Sequence, residues 1–122
     1  SRLERVDDEL SRDLTTVVGN LVDNALDAVT GTADAAVQVF IDGRGEKLSI
    51  VVRDSGLGVP SEVLEDVFRQ GFTTKQPTSE GGRGYGLALS RVVCQRRGGQ
   101  LTVHNDGGAV FSARLFPRRV QP

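Results

Sequence analysis

The sequence predicts an α+β fold, a two-layer sandwich in which helices cover one face of a mixed, mainly antiparallel sheet. Three patterns indicate this fold: a long apolar stripe at helical spacing, two pairs of strand-like runs with short glycine-bearing turns, and a second apolar helix between the pairs. The 122 residues are 38% hydrophobic and 25% charged, which is typical of one globular domain. We therefore treat residues 1–122 as a single domain.

Composition and charge exclude several classes of function. Fifteen Lys and Arg against sixteen Asp and Glu leave a net charge of −1, so no overall positive field draws the chain towards nucleic acid or anionic lipid. No apolar run reaches the roughly 18–20 residues that span a bilayer. The single cysteine, Cys94, cannot form a disulfide within the chain. Because the chain has no methionine, we expect it to be a fragment whose preceding part is missing.

The first helix is predicted over residues 11–30. Apolar residues recur every three or four positions from Leu14 to Val29 and form one stripe about 140° wide. Ser11 has the chemistry of an N-cap, and Gly31 follows the last periodic residue.

The next segment alternates with period two. Val37, Val39 and Ile41 point to one face, and a run over residues 48–52 repeats the pattern after a turn at residues 43–46. Two such runs separated by a short glycine-bearing turn predict an antiparallel hairpin.

A turn at residues 54–60 follows the hairpin, and Pro60 begins a short helix that runs towards Phe68. Residues 73–84 are polar, rich in glycine and free of either periodicity, so they predict a mobile loop.

The remaining chain predicts one more helix and one more hairpin. The helix covers residues 85–97 and ends at Gly98, with Arg96 and Arg97 near its negative end. The hairpin pairs residues 101–105 with residues 109–116 around an Asn-Asp-Gly-Gly turn.

Asn20 and Asn24 are the first candidate site residues. They lie four residues apart on one helix face beside Asp27, at the edge of the apolar stripe. Asparagine has poor helix propensity, which suggests that these amides have a use. They either coordinate a hard cation through their side-chain oxygens or hydrogen bond to a neighbouring loop.

Asp54 is the second candidate. By strand parity it falls on the face that the helices are expected to cover, so its carboxylate must find donors or lie in a cleft. Gly56 and Gly58 remove side chains and allow a flat ligand to approach the backbone. The alternative is an Asx-type turn that caps the strand end.

A third candidate is the glycine-rich start of the second long helix. Gly82, Gly84 and Gly86 precede or begin this helix, where free backbone N–H groups bind anions. Lys75, at the start of the preceding loop, offers a point charge for a phosphate. The alternative is a flexible glycine hinge.

In this order, the motifs resemble the catalytic domain of sensor histidine kinases, members of the ATPase superfamily that includes DNA gyrase, Hsp90 and MutL. The resemblance extends from about residue 13 to residue 116, and Gly19 and residues 72–75 make it most similar to the citrate and C4-dicarboxylate sensor branch. The matching segments are residues 20–25 (asparagine box), 54–58 (first glycine box), 68–72 (phenylalanine box) and 82–87 (second glycine box).

The resemblance implies the Bergerat-type ATP-binding fold with ATP and Mg²⁺ as cofactors. Asp54 would accept a hydrogen bond from the adenine amine, and Gly58 would admit the ring. Asn24 would hold Mg²⁺ between the phosphates with Asn20 beside them, and Lys75 would neutralise phosphate charge. The implied catalytic residues are Asn20 and Lys75. The implied nucleotide-binding residues are Asn20, Asn24, Asp27, Asp54, Gly56, Gly58, Phe72, Thr74, Lys75, Gly82, Gly84, Tyr85, Gly86 and Leu87.

The implied activity is that of a protein histidine kinase, incomplete without its acceptor domain, which transfers the γ-phosphoryl group of Mg-ATP to a histidine on a separate dimerisation domain. In the gyrase, Hsp90 and MutL branch, a glutamate that activates water stands at the position of Asn20. An amide cannot act as a general base, so we expect weak ATP hydrolysis. Two alternatives stay open: an anti-sigma-factor-type serine kinase, which usually carries an acidic residue at that position, and a non-catalytic nucleotide-binding switch.

The resemblance also implies partners and a location. The partners are the dimerisation domain of the same protein, which carries the acceptor histidine, and a downstream response regulator. Neither nucleic acid nor direct membrane contact is expected for this domain. The full-length protein would be a homodimer anchored in the bacterial cell membrane, and the isolated fragment a cytoplasmic monomer.

Overall fold

The computed structural model describes residues 8–45, 47–64, 66–68 and 86–117. In these ranges the chain forms two α-helices, a 3-10 helix and one four-stranded sheet, which confirms the predicted α+β class. The elements are α1 (Asp8–Val29), β1 (Val37–Arg44), β2 (Lys47–Asp54), the 3-10 helix (Ser61–Val63), α2 (Gly86–Arg96), β3 (Gln100–Asn105) and β4 (Ala109–Leu115).

The strands lie in the order β1-β2-β4-β3, and all three pairings between them are antiparallel. Both predicted hairpins are therefore present. The first turn is tighter than predicted, since strand pairing continues to Arg44 and resumes at Lys47 where we expected a turn at residues 43–46. Val37, Val39 and Ile41 face the same side of the sheet as Asp54, Val52 and Ile50, their respective partners.

The first helix is longer than its prediction. It includes Asp8, so Ser11 lies inside the helix and the prediction that it caps the N terminus is wrong. The acidic residues Asp8 and Glu9 in the first turn interact favourably with the helix dipole. The end is as predicted, because the helix stops at Val29 and Gly31 adopts φ +79°.

Two other boundaries also differ from expectation. The short helix expected from Pro60 towards Phe68 is a single 3-10 turn at Ser61–Val63, followed by turns at residues 66–68. The second long helix is described over Gly86–Arg96, and it ends one residue before the predicted end at Arg97. None of the described helices is long and apolar enough to cross a membrane.

The core lies between the helices and one face of the sheet. Val17, Leu21 and Ala25 of α1 are buried there with Ile50 and Val52 of β2. Residues facing the other side of β2 alternate with these and are only partly buried, as expected for a sheet covered on one face.

Arg97, directly after α2, is buried with 1% of its surface exposed. Its Nε donates a 2.6 Å hydrogen bond to Asp13 Oδ2, and its Nη1 donates to the carbonyl oxygens of Phe116 and Pro117. Arg97 therefore joins the beginning of α1 to the chain that leaves β4. These contacts are additional to the predicted position of Arg97 near the negative end of α2.

Candidate functional site

Asp54 ends β2 on the helix-covered face, as strand parity predicted, with 6% of its surface exposed. Its Oδ1 accepts hydrogen bonds from the backbone N–H groups of Gly56 at 2.9 Å and Ala109 at 3.2 Å. Its Oδ2 is buried and has no hydrogen-bond partner among the described residues. One oxygen thus forms the Asx-type turn, while the other is a buried acceptor that is costly to leave without a donor.

The two glycines of the first glycine box have structural reasons of their own. A Cβ on Gly56 would lie 2.7 Å from the Ala28 carbonyl oxygen. Gly58 adopts φ +80°, and a Cβ there would lie 2.6 Å from Asn105 Oδ1. The loop after Asp54 therefore needs both glycines to pack against the end of α1 and the end of β3, whether or not a ligand also approaches them.

Asn20 realises the hydrogen-bonding alternative, with a helix rather than a loop as its partner. Its Nδ2 donates to the Gly86 carbonyl oxygen at 3.0 Å and to Ser90 Oγ at 3.1 Å. A Cβ on Gly86 would lie 2.9 Å from Asn20 Oδ1, so the close approach depends on glycine. The structure thus brings the asparagine box against the helix that begins in the second glycine box.

Asn24 and Asp27 are partly buried one and two helical turns beyond Asn20. Gly86 and Leu87 are partly buried at the start of α2, where helix N–H groups lack partners within the helix. A side-chain amide oxygen such as that of Asn24 is a hard ligand of the type that Mg²⁺ accepts. The Asn24 side-chain oxygen and the N–H groups at the start of α2 therefore have the chemistry that fits a Mg²⁺–phosphate group.

Six of the predicted site residues lie outside the described part of the chain. The predicted mobile loop at residues 73–84 also lies outside the described part of the chain. Phe68 is the one residue of the phenylalanine box within the described ranges. The Phe68 ring packs edge-on against Phe111 with centroids 6.2 Å apart, and the Arg91 guanidinium carbon lies 5.8 Å from its centroid. The site residues outside the described ranges are Phe72, Thr74, Lys75, Gly82, Gly84 and Tyr85.

The end of β3 and the following turn also contact this region, which no motif of the sequence indicates. Asn105 Nδ2 donates to the Val59 carbonyl oxygen at 2.7 Å, and Asn105 Oδ1 accepts from the Val59 N–H at 2.8 Å. A Cβ on Gly108 would overlap the Asp54 carbonyl oxygen. An Asn-Asp-Gly-Gly sequence indicates only a turn, so no local signal could reveal these contacts.

Two described side chains, Asp106 and Cys94, have pKa values that differ from their ordinary values. The hydrogen bond from Arg53 at 2.9 Å lowers the pKa of Asp106 in the β3–β4 turn. Burial raises the pKa of the Cys94 thiol from 9.0 to about 11. Cys94 therefore stays protonated at neutral pH and is not an activated nucleophile.

Comparison with known proteins identifies the family. The model of the family described as "Histidine kinase-, DNA gyrase B-, and HSP90-like ATPase" matches residues 9–119. The chain is 42% identical over 113 residues to the protein named "Probable C4-dicarboxylate sensor kinase" of Halalkalibacterium halodurans, covering 89% of this chain and 21% of that protein. It is 41% identical over 110 residues to the sensor protein CitS of Bacillus subtilis, covering 88% of this chain and 19% of CitS.

The fold is also similar to that of solved structures. The catalytic domain of the histidine kinase ThkA aligns with a TM-score of 0.71 and 28% identity, over 87% of this chain and 67% of that domain. The chain spans about a fifth of the length of the two sensor proteins named above. From the family match, the relatives and the shared fold, this chain belongs to the histidine kinase-, DNA gyrase B- and HSP90-like ATPases.

Proposed function

We propose that this chain is the ATP-binding catalytic domain of a sensor histidine kinase. The observation that carries the proposal is the Asp54 carboxylate, which has one oxygen held by two backbone N–H groups and the other buried without a partner among the described residues. The exocyclic amine of adenine is a neutral N–H donor of the kind that this oxygen requires.

The adenine end of the site is preorganised. Gly56 and Ala109 donate to Asp54 Oδ1 from two different parts of the chain, so the carboxylate plane is held before a ligand binds. A fixed acceptor loses less conformational entropy on binding than a freely rotating one. Asp54 therefore acts by orienting the base.

The phosphates are assigned to the other end, at the start of α2. The N–H groups of Gly86 and Leu87 lie in the first turn of this helix, where the helix dipole attracts anions. Asn20 binds the Gly86 carbonyl oxygen and so fixes where that turn begins. Asn24 would hold Mg²⁺, which supplies charge neutralisation to the phosphates when bound. Lys75 would add a second positive charge.

Asn20 favours phosphoryl transfer over hydrolysis. Its amide has no basic atom that could take a proton from water, and its nitrogen is engaged with Gly86 and Ser90. The γ-phosphoryl group would therefore remain available for a histidine on the dimerisation domain of the same protein. A homodimeric, membrane-anchored sensor kinase with a response regulator downstream is the setting that we propose.

Nucleotide binding can be tested by isothermal titration of ADP into the wild-type chain and into D54N. We expect D54N to lose most of its affinity, because an isosteric amide that still accepts from Gly56 and Ala109 would turn an N–H group towards the adenine amine. Asp34→Asn makes the same chemical change at an exposed site and should bind like the wild type. Equal affinity of D54N and the wild type would contradict the assignment of Asp54 to adenine.

The acceptor can be tested separately with the full-length protein. Incubation with radiolabelled Mg-ATP should produce acid-labile phosphohistidine, and slow release of inorganic phosphate should accompany it. Acid-stable phosphoserine on a partner protein would contradict the histidine kinase proposal and favour the serine kinase alternative.

A further inference from the structure

We propose that Asn105 is a positioning residue for adenine recognition. It is the last residue of β3 and lies on the same side of that strand as Leu101 and Val103, which face the helices. The inference rests on the proposed ATP-binding function, and it assigns a role to a residue next to the β3–β4 turn, outside the four motif boxes.

The Asn105 side chain makes the pair of hydrogen bonds that the backbone of a neighbouring strand would make. Its carboxamide both donates to the Val59 carbonyl oxygen and accepts from the Val59 N–H, at 2.7 and 2.8 Å. Two strands exchange the same pair of bonds at a hydrogen-bonded position of an antiparallel ladder. The backbone just after the first glycine box is therefore bound on both of its polar groups by one side chain.

Gly58 makes this contact possible. Its φ of +80° turns the chain, and the missing Cβ leaves room for Asn105 Oδ1, which would lie 2.6 Å from that atom. The loop is thus held at Gly56 by Asp54 and at Val59 by Asn105, and Leu57 between them is fully exposed. Without Asn105, the side-chain hydrogen bonds described for this loop would hold it at its Asp54 end alone.

The same turn also holds Asp54. Ala109 donates to Asp54 Oδ1 at 3.2 Å, and Arg53 binds Asp106 at 2.9 Å. Residues 105–109 therefore fix both the carboxylate and the far end of the loop that flanks it. This arrangement sets the distance between Asp54 Oδ2 and the backbone at Gly58. In the proposed complex the adenine ring contacts both groups at the same time.

Removal of the Asn105 carboxamide should separate these two features without displacing Asp54, because Gly56 and Ala109 still bind its Oδ1. The expected loss is specific to the amine of adenine. ADP and IDP differ at position 6 of the base, where IDP has a carbonyl oxygen in place of the amine. The ratio of their affinities therefore measures recognition by Asp54, whereas a general loss of folded protein lowers both affinities equally.

The test is isothermal titration of ADP and of IDP into the wild-type chain, N105A, N105D and T102A, at a temperature where circular dichroism shows each to be folded. For N105A we expect ADP affinity to fall about tenfold, the effect of one to two lost hydrogen bonds, with a smaller fall for IDP. N105D keeps the acceptor for the Val59 N–H but sets a carboxylate oxygen against the Val59 carbonyl oxygen, so its ratio should fall at least as far as that of N105A. Thr102, exposed on the same strand, provides the control and should leave the ratio unchanged.

Three results would count against these assignments in different ways. If N105A and N105D keep the wild-type affinities for both ADP and IDP, the positioning role is wrong even though the domain binds ADP. If both affinities fall by the same factor in these variants, Asn105 is purely structural and the inference is again wrong. If the wild-type chain binds neither nucleotide, the proposed function fails, and the inference fails with it.

Discussion

The side-chain nitrogen of Asn20 lies 3.0 Å from the carbonyl oxygen of Gly86, which joins the middle of α1 to the first residue of α2 across 66 positions of sequence. The same nitrogen lies 3.1 Å from Ser90 Oγ, one turn further along α2. One carboxamide thus aligns the two helices at the point where the proposed phosphate site begins.

This relationship predicts that Asn20→Asp is destabilising. The carboxylate cannot donate to Gly86 and would place a negative charge against its carbonyl oxygen, although Ser90 could donate to it. We expect the free energy of unfolding to fall by about 1–3 kcal/mol, measured by urea denaturation. Asp23→Asn exchanges the same groups at an exposed position of α1 and should change stability by less than about 0.5 kcal/mol. Equal stability of N20D and the wild type would contradict the contact.

Replacement of Arg97 by methionine should have a larger effect. It removes the 2.6 Å bond to Asp13, whose carboxylate is mostly buried, together with the bonds to Phe116 and Pro117. Breaking a buried pair by removing one partner costs about 3–5 kcal/mol, which urea denaturation would detect. Arg96→Met changes an exposed neighbour and should be nearly neutral. If the two variants are equally stable, Arg97 has no bridging role.

The two glycines of the β3–β4 turn should differ sharply in their response to alanine. A Cβ at Gly107, with φ +71°, meets no atom within 4 Å, so Gly107→Ala should cost about 1–2 kcal/mol of backbone strain. At Gly108, with φ +141°, the same group would overlap the Asp54 carbonyl oxygen. Gly108→Ala should therefore cost more than about 3 kcal/mol or prevent folding. Thermal unfolding of the two variants gives the order, and its reversal would show that the turn does not press on Asp54.

We expect the buried Cys94 thiol to make the protein less stable at high pH. Burial raises its pKa from 9.0 to about 11, so between these values the unfolded chain releases the proton and the folded chain keeps it. The contribution of the protonated thiol to the free energy of unfolding is complete below pH 9.0. It is lost as the pH rises towards 11, by at most about 1.4 kcal/mol per pH unit for one proton. Urea denaturation at pH 8 and pH 10 should show a smaller decrease for Cys94→Ala than for the wild type. Parallel decreases would indicate an accessible thiol.

The elements were predictable because their signals are local. The apolar stripe of α1 and the alternation of the strands lie in neighbouring residues, and strand parity alone placed Asp54 on the covered face. The contacts that organise the site are not local: Asn105 meets Val59 across 46 positions of sequence. Arg97 shows the same limit, because its neighbours in sequence indicate an ordinary residue at a helix end and only the fold brings Asp13 to it.

The Arg97 contacts also determine how the domain can be excised for study. The guanidinium group reaches Asp13 in the second turn of α1 and the carbonyl oxygens of Phe116 and Pro117, beyond the last strand. A truncation placed at Leu115, where the sheet ends, would leave a buried cation without two of its acceptors. A fragment that keeps all the Arg97 contacts must therefore extend past β4 and include Pro117.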